Sequence, residues 1–373
     1  MNLIEVSNPR TARQFIDLPK KLYKDDPNWI SPLDNDVEAV FDPLRNVFFE
    51  HGICTRWLLQ DDSGRLIGRI AAFINYEKSH KHTEPTGGAG FFDCINDKKA
   101  AYLLLDTAKA WLQGHGMQAM EAPINFGEND KFWGLLIQGF KPPSLGMNYN
   151  PPYYQEFFES YGFEKEYDQL TNFLDITVPF TERFTKIADW VMKKPGYSFR
   201  HFEKGKLDKY AEDFREIYND AWSTFDNFVP IEMGVIKESL RQMKPVMDER
   251  IIWFAYYKEE PIGFVVCMPD VNQILKHVNG KLNLWGKLKF LWYKKTMTID
   301  RLRIIIMGCK KKYQNHGIES ALVRTLQLEV VPKGIVKGVE LAWVGDFNDK
   351  MLAIHAATGA KLDKVHRTYK KVF

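Results

Sequence analysis

The sequence predicts an α/β fold, a mixed sheet covered by helices, built twice in tandem. Three observations predict it. A shift of 195 residues (218 − 23) lays Tyr218 on Tyr23, Ile252-Trp253-Phe254 on Trp57-Leu58-Leu59, and Ile262-Gly263 on Ile67-Gly68. Around these landmarks, helix-period and strand-like segments follow one another in the same order in both halves. The chain has 373 residues, enough for two domains at roughly 150 residues each.

Each half opens on an amphipathic helix. Phe15, Leu18 and Leu22 mark the first, and Leu207, Ala211, Phe214, Tyr218 and Trp222 mark its counterpart. A β-hairpin comes next: residues 56–60 and 66–75 around Asp61-Asp62-Ser63-Gly64, then residues 251–257 and 262–268 around Lys258-Glu259-Glu260. Short apolar runs broken by a charged turn make hairpins. The following helix carries Ala101, Leu104, Leu105, Ala108, Trp111 and Leu112 on one face and stops at Gly114-His115-Gly116. Its counterpart carries Ile318, Ala321, Leu322 and Leu326 and ends near Pro332-Lys333-Gly334. Strands at 118–122 and 338–344 come after. Each half is then expected to close on a short helix, a glycine (Gly162 or Gly359) and a terminal strand of its own. The expected boundaries are a first half at 1–180, a linking helix within 181–195 and a second half at 196–373.

Composition removes several function classes. Lysine plus arginine exceed aspartate plus glutamate by 51 − 48 = +3, too little to drive DNA binding. Cys54, Cys94, Cys267 and Cys309 stand far apart, which argues against a disulfide framework or a cysteine zinc site and fits a reducing cytoplasm. No apolar run approaches the ~20 residues of a membrane span. Residues 276–295 interleave six lysines with Leu, Trp, Phe and Tyr, without an acidic residue between Asp270 and Asp300. A lid or solvated surface helix is the plain reading; a membrane-surface or nucleic-acid role is the sharper one. His80-Lys81-His82 has no carboxylate or cysteine at ligand spacing and reads as a solvated loop, so no metal is expected.

The stretch that points to chemistry starts with Ile304-Ile305-Ile306-Met307, a buried-strand pattern. Gly308-Cys309-Lys310-Lys311-Lys312-Tyr313, Gln314-Asn315-His316-Gly317 and a helix from Ile318 follow. Free N–H groups and the dipole at a helix start attract anions, so phosphate or pyrophosphate is the natural guest. The same residues also read as a lysine turn that merely starts a helix. Downstream stand Asn348, His355 and Gly359-Ala360.

On these residues the chain resembles the GNAT acyltransferase superfamily. Gln314-x-x-Gly317 after a strand is similar to that family's pyrophosphate loop, and Asn348, His355 and Gly359-Ala360 keep the spacing of its closing signature. The element order in both halves resembles a tandem GNAT arrangement. The resemblance implies acetyl-CoA or another acyl-CoA as co-substrate, held by Met307, Cys309, Gln314, Asn315, His316, Gly317, Ile318, Glu319, Ser320 and Asn348. It also implies His355 where the family often places a general-acid Tyr. Two positions depart from the pattern: Glu319 replaces a small residue, setting a carboxylate against a bound pyrophosphate, and His355 replaces the Tyr.

The first half keeps the framework but lacks a Gln-x-x-Gly. Its Gly/Pro-rich stretch with Asn125, Asn148, Tyr149, Asn150 and Tyr153 offers hydrogen bonds beside aromatic surface, suited to an acceptor; packing between the halves is the plain alternative. The expected activity is therefore acyl transfer from acyl-CoA to a small-molecule or peptide amine, in the cytoplasm, with the cofactor site in the second half and the acceptor site between the halves. The rivals are a non-catalytic GNAT-like binding protein and an aminoacyl-tRNA-dependent Fem-type transferase.

Overall fold

The computed structural model describes residues 1–80, 83–224, 230–244, 246–334 and 336–373. Lys81 and His82, and with them most of the His80-Lys81-His82 loop, lie outside the described residues. The first half runs β1 (Asn2–Glu5), α1 (Pro9–Leu22), α2 (Asp34–Val40), β2 (Gly52–Gln60), β3 (Leu66–Asn75), α3 (Tyr76–Ser79), β4 (Thr86–Cys94), α4 (Lys98–Gly114), β5 (Ala119–Ala122), β6 (Leu135–Gln138), α5 (Tyr154–Tyr161) and β7 (Glu164–Asp175). Helix α6 (Glu182–Lys193) leads into the second half. There follow β8 (Tyr197–His201), α7 (Leu207–Trp222), α8 (Met233–Met243), β9 (Ile252–Tyr257), β10 (Glu260–Pro269), α9 (Asn272–Leu275), α10 (Leu284–Thr296), β11 (Arg301–Cys309), α11 (Ile318–Val330), β12 (Gly338–Glu340), β13 (Val344–Gly345), α12 (Asp349–Thr358) and β14 (Lys361–Val372).

All of these strands join one sheet, ordered β1-β2-β3-β4-β5-β14-β7-β12-β11-β10-β9-β8, with β6 beside β14 and β13 beside β7. Read inward from its two edges, the order repeats. Three antiparallel pairings lead from β1 to β4 and from β8 to β11. A parallel pairing then joins β4 to β5 and β11 to β12. The repeated Ile-Gly has a packing cause. A Cβ on Gly68 would stand 2.7 Å from Leu104 of α4, and one on Gly263 would stand 3.1 Å from Ile318 of α11. In each half the missing side chain lets the helix settle onto the second hairpin strand.

Two expectations need correction. The strand expected at 338–344 is interrupted, pairing only at Gly338–Glu340 and Val344–Gly345. More consequentially, neither half keeps its own terminal strand. β14, from the end of the chain, pairs with β5 of the first half, whereas β7 pairs with β12 of the second; the two then pair with each other from Lys361↔Phe173 to Lys370↔Glu164. Accordingly, Leu174 and Ile176 belong to the second half's core and Tyr369 to the first's. Similar alternating patterns at both chain positions could not reveal which partner each strand would choose.

Where the exchanged strands meet β12, the core carries charge. Glu340 and Lys364 are 0% and 1% exposed, and Lys364 Nζ lies 3.0 Å from Glu340 Oε2 and 2.7 Å from Asp363. Arg303 Nε approaches Glu340 to 3.6 Å. These cations, Lys364 first, hold the Glu340 carboxyl below its usual range against the opposing effect of burial. Removing one member of such a pair strands the other in a dry site. Glu340→Ala is therefore expected to lower stability by about 3–5 kcal/mol, and Glu340→Met with Lys364→Met to recover most of it. Urea midpoints of the three proteins check this.

Candidate functional site

Strand β11 pairs with β12 only from Arg301 to Arg303. Beyond that the two part, and among the described residues, 304 and 306–309 pair with β10 alone within the sheet, with Ile305 at a register shift. That leaves a backbone edge open along most of this stretch, closed at the Cys309 carbonyl by Gln314, with the Ile305 side chain exposed. The edge runs straight into the loop singled out by sequence. There Asn315 and Gly317 take left-handed backbone, φ 64 and φ 79, and Gly317 N-caps α11. A Cβ on Gly317 would meet Ile187 at 2.8 Å and Val191 at 3.1 Å on α6, so glycine serves packing as well as backbone conformation. The Ala321 N–H closes the first turn onto the Gly317 carbonyl at 3.0 Å, and the N–H groups of Ile318, Glu319 and Ser320 have no partner one turn earlier in the helix. The backbone thus suits an anion.

The side chains qualify that fit. Lys310 is buried and paired with Glu216 and Glu260. Lys311 bonds Ser223, and Lys312 lies over the Tyr313 ring. The lysine run is therefore largely spent on protein partners. Gln314 donates to the Cys309 carbonyl at 3.2 Å and accepts from Lys350. Glu319 is half-buried, and its carboxylate accepts from its own backbone N–H; burial raises its pKa. It sits at the helix start that a pyrophosphate would use. His316 is exposed against the edge of Tyr313. Met307 is half-buried on the open strand, and Cys309 is buried with its thiol pushed up by desolvation. Asn348 caps α12, accepting from the Met351 N–H at 3.2 Å.

His355 on α12 is 6% exposed, and its Nδ1 lies 3.0 Å from Asn172 Nδ2 on β7. Burial lowers its pKa to about 4. At neutral pH it is an uncharged imidazole and holds no imidazolium proton to give.

Two hollows lie beside the strand exchange. One is a shallow hollow of about 270 Å³, open to solvent and lined by Asn129, Lys131, Trp133, Gln169, Arg303, Trp343 and His366, with Met147. The other is a larger cleft of about 710 Å³, open to solvent, where β4 and β5 part in the first half. Met147 lines both. The cleft's walls are apolar, from Trp29, Ile30, Val37, Phe91, Phe132 and Leu135, and Asn148, Tyr149 and Asn150 also line it. Asn148 donates to the Gly134 carbonyl, Tyr149 to Asp26, and Asn150 exchanges two bonds with the Leu136 backbone. Asn125 is buried with Oδ1 unpartnered, and Tyr153 donates to the Cys94 carbonyl at 3.0 Å; neither lines the cleft.

Sequence reading missed the polar end of this cleft. Arg69 Nε bonds Asp93 Oδ2 at 2.6 Å, and the guanidinium also donates to the Phe15 carbonyl while lying over the Phe15 ring. Tyr23 donates to Asp93 and meets the Tyr154 hydroxyl at 2.8 Å. Burial pushes both phenols well above their usual range, so they remain donors. The signal was present: Arg69 and Asp93 interrupt apolar strands, and buried charge is rarely incidental. In the first half's counterpart of the anion loop, Asp97 accepts from the N–H groups of Lys99 and Ala100, filling that helix start.

No protein-family model matches the sequence. The chain is 30% identical over 383 residues to the bacterial ceramide synthase of Caulobacter vibrioides, covering 100% of this chain and 97% of that protein. The chain belongs to the bacterial ceramide synthase family. Protein YghO of Escherichia coli is 28% identical over 370 residues, covering 98% of this chain and 93% of its own. Among solved structures, a tandem GNAT protein from the clavulanic acid biosynthesis pathway aligns with TM-score 0.56 at 14% identity, over 100% of this chain and 98% of that one. A GCN5-related N-acetyltransferase from Sphaerobacter thermophilus aligns at 0.53 with 12% identity, over 99% and 95%. This member of the ceramide synthase family thus has the tandem GNAT fold.

The depressed His355 pKa makes stability depend on pH. The unfolded chain binds the proton near pH 6.5 and the folded one near pH 4, so stability falls as pH drops through that window. Buried His366, also lowered to about 4, acts alike. Between pH 7.5 and 5, His355→Gln is expected to lose about 2 kcal/mol less stability than the parent. Urea unfolding at the two pH values checks it; equal losses would remove the assignment.

Proposed function

We propose that the protein is an acyl-CoA-dependent N-acyltransferase that joins a fatty acyl group to the amine of a long-chain base. The full-length 30% identity to a ceramide synthase carries this reading, because a ceramide is the amide of a fatty acid and a sphingoid amine. The cleft supports it, offering a long chain the apolar walls Trp29, Ile30 and Phe132, with polar groups on Asp93, Tyr149 and Asn148 at hand.

In this reading the chain divides into a first half at 1–180, which holds the acceptor, and a second at 196–373, which holds the donor. The N–H groups of residues 317–320 bind the CoA pyrophosphate, and the open edge of β11 orients the thioester. Its reacting end is directed toward Arg303 and the hollow that meets the cleft at Met147. The acceptor amine attacks the thioester carbonyl; a C–N bond forms, the C–S bond breaks, and the proton released from nitrogen ends on the departing thiolate, giving free coenzyme A. Positioning of this kind contributes roughly 7–11 kcal/mol in favourable cases. His355, uncharged at neutral pH, keeps α12 seated on β7 rather than supplying the leaving group's proton.

Thiol release from acetyl-CoA and palmitoyl-CoA, with and without sphinganine, tests the reading. Release is expected only with both substrates, faster with the longer chain. Glu319→Ala is expected to bind CoA up to about fivefold more tightly at low salt, an advantage that shrinks at high salt. CoA binding without turnover on any amine favours the non-catalytic alternative; indifference to CoA with turnover on aminoacyl-tRNA favours the Fem-type one.

A further inference from the structure

We propose that α10 is an interfacial membrane anchor whose outward Leu/Trp face enters the headgroup region of an anionic bilayer. This does not rest on the proposed reaction. Leu284, Trp285, Leu288, Leu291 and Trp292 are 73, 73, 50, 60 and 66% exposed. At 100° per residue these five occupy one arc of about 120°. The opposite side of the same helix is also apolar and is already used. Gly286 is buried, Tyr293 stacks on His277 with ring centroids 4.1 Å apart, and Phe290 packs against Val271, Leu275 and Val278. The helix therefore has two apolar faces, one for the protein and one turned to solvent. A helix serving only the fold needs the first alone. An exposed apolar arc of this kind marks an interaction surface.

Charge identifies the occupant. Lys287 and Lys294 project on one flank of the arc and Lys289 on the other, with Lys295 at its C-terminal end; the whole stretch from Asp270 to Asp300 holds six lysines and no acid between them. A second copy of this face would bring like charges together, which opposes a symmetric dimer. Anionic lipid headgroups complement it, Trp prefers the headgroup level, and lysine stems reach outward past apolar neighbours. Thirteen residues make a helix of about 20 Å, too short to span a hydrocarbon core and suited to lying in its plane. The inner face of α10 shares its cluster with Leu33 and Leu145, chain neighbours of Pro32 and of the loop from Pro143 that line the cleft. The anchor would thus set the cleft beside the membrane surface, where a water-insoluble ligand resides.

The test is co-sedimentation of the full chain with phosphatidylcholine vesicles and with phosphatidylcholine/phosphatidylglycerol vesicles, without CoA or amine. The parent is expected to pellet with the anionic vesicles only, and less at high salt. Trp285→Ser/Leu288→Ser/Trp292→Ser, all outward-facing, should keep the parent's thermal unfolding and bind at least about tenfold more weakly. Lys287→Gln/Lys289→Gln/Lys295→Gln should do the same for anionic vesicles. A parent that stays in the supernatant with anionic vesicles overturns the proposal, as does undiminished binding by the Trp/Leu variant. A parent dimer in light scattering that this variant converts to monomer assigns the face to a second copy instead, and also overturns it.

Discussion

The ladder between β7 and β14 is the constraint on which the remaining structure depends. Each strand leaves the half that precedes it in sequence and completes the sheet of the other, so two repeats become one continuous sheet. Because the last strand of the chain forms part of the first half's core, neither half has a complete sheet without the other. The exchange also sets where polar groups must be buried. Glu340 and Lys364 face each other at the crossing with almost no exposure, and Arg303, whose guanidinium bonds the Leu145 carbonyl, ties the first half's loop to β11. Met147 lines both hollows beside this junction.

The halves share a frame and divide the remaining properties. Both part their parallel strands, β4 from β5 and β11 from β12, opening a gap in the same place. In the first half the gap is a cleft with apolar walls and a buried Arg69–Asp93–Tyr23–Tyr154 network, but Asp97 fills the helix start beyond it. In the second half the helix start keeps glycine, and of its first N–H groups that of Glu319 is met by its own carboxylate, while Trp222 and Phe264 pack against Gly308, a Cβ on which would stand 2.5 Å from the Trp222 ring. In the proposed reaction the first gap takes the acceptor and the second the donor.

Much of this frame was legible. Helix period, hairpin turns and the Ile-Gly repeat placed α1, α4, α7 and α11 and both hairpins, because each reflects local geometry or one close helix–sheet contact. The backbone course of the 314–320 loop was legible for the same reason: a strand, a glycine and a helix start are contiguous in sequence. The strand exchange was not, since it is decided by which of two similar edges a distant segment reaches. Nor was the Arg69–Asp93–Tyr23–Tyr154 network, whose members come from β3, β4, the C-terminal cap of α1 and the start of α5. The spending of Lys310 on Glu216 and Glu260 was equally hidden, because composition counts charges without their partners.

A structure of the protein with a non-hydrolysable palmitoyl-CoA analogue tests most directly the assignment of the donor to the second half. That assignment predicts the pyrophosphate against the N–H groups of residues 317–320, the Glu319 carboxylate turned aside, and the thioester group along the β11 edge with the acyl chain reaching toward Met147. Pyrophosphate at the start of α4 instead, or an acyl-CoA that leaves the β11 edge empty, would contradict it.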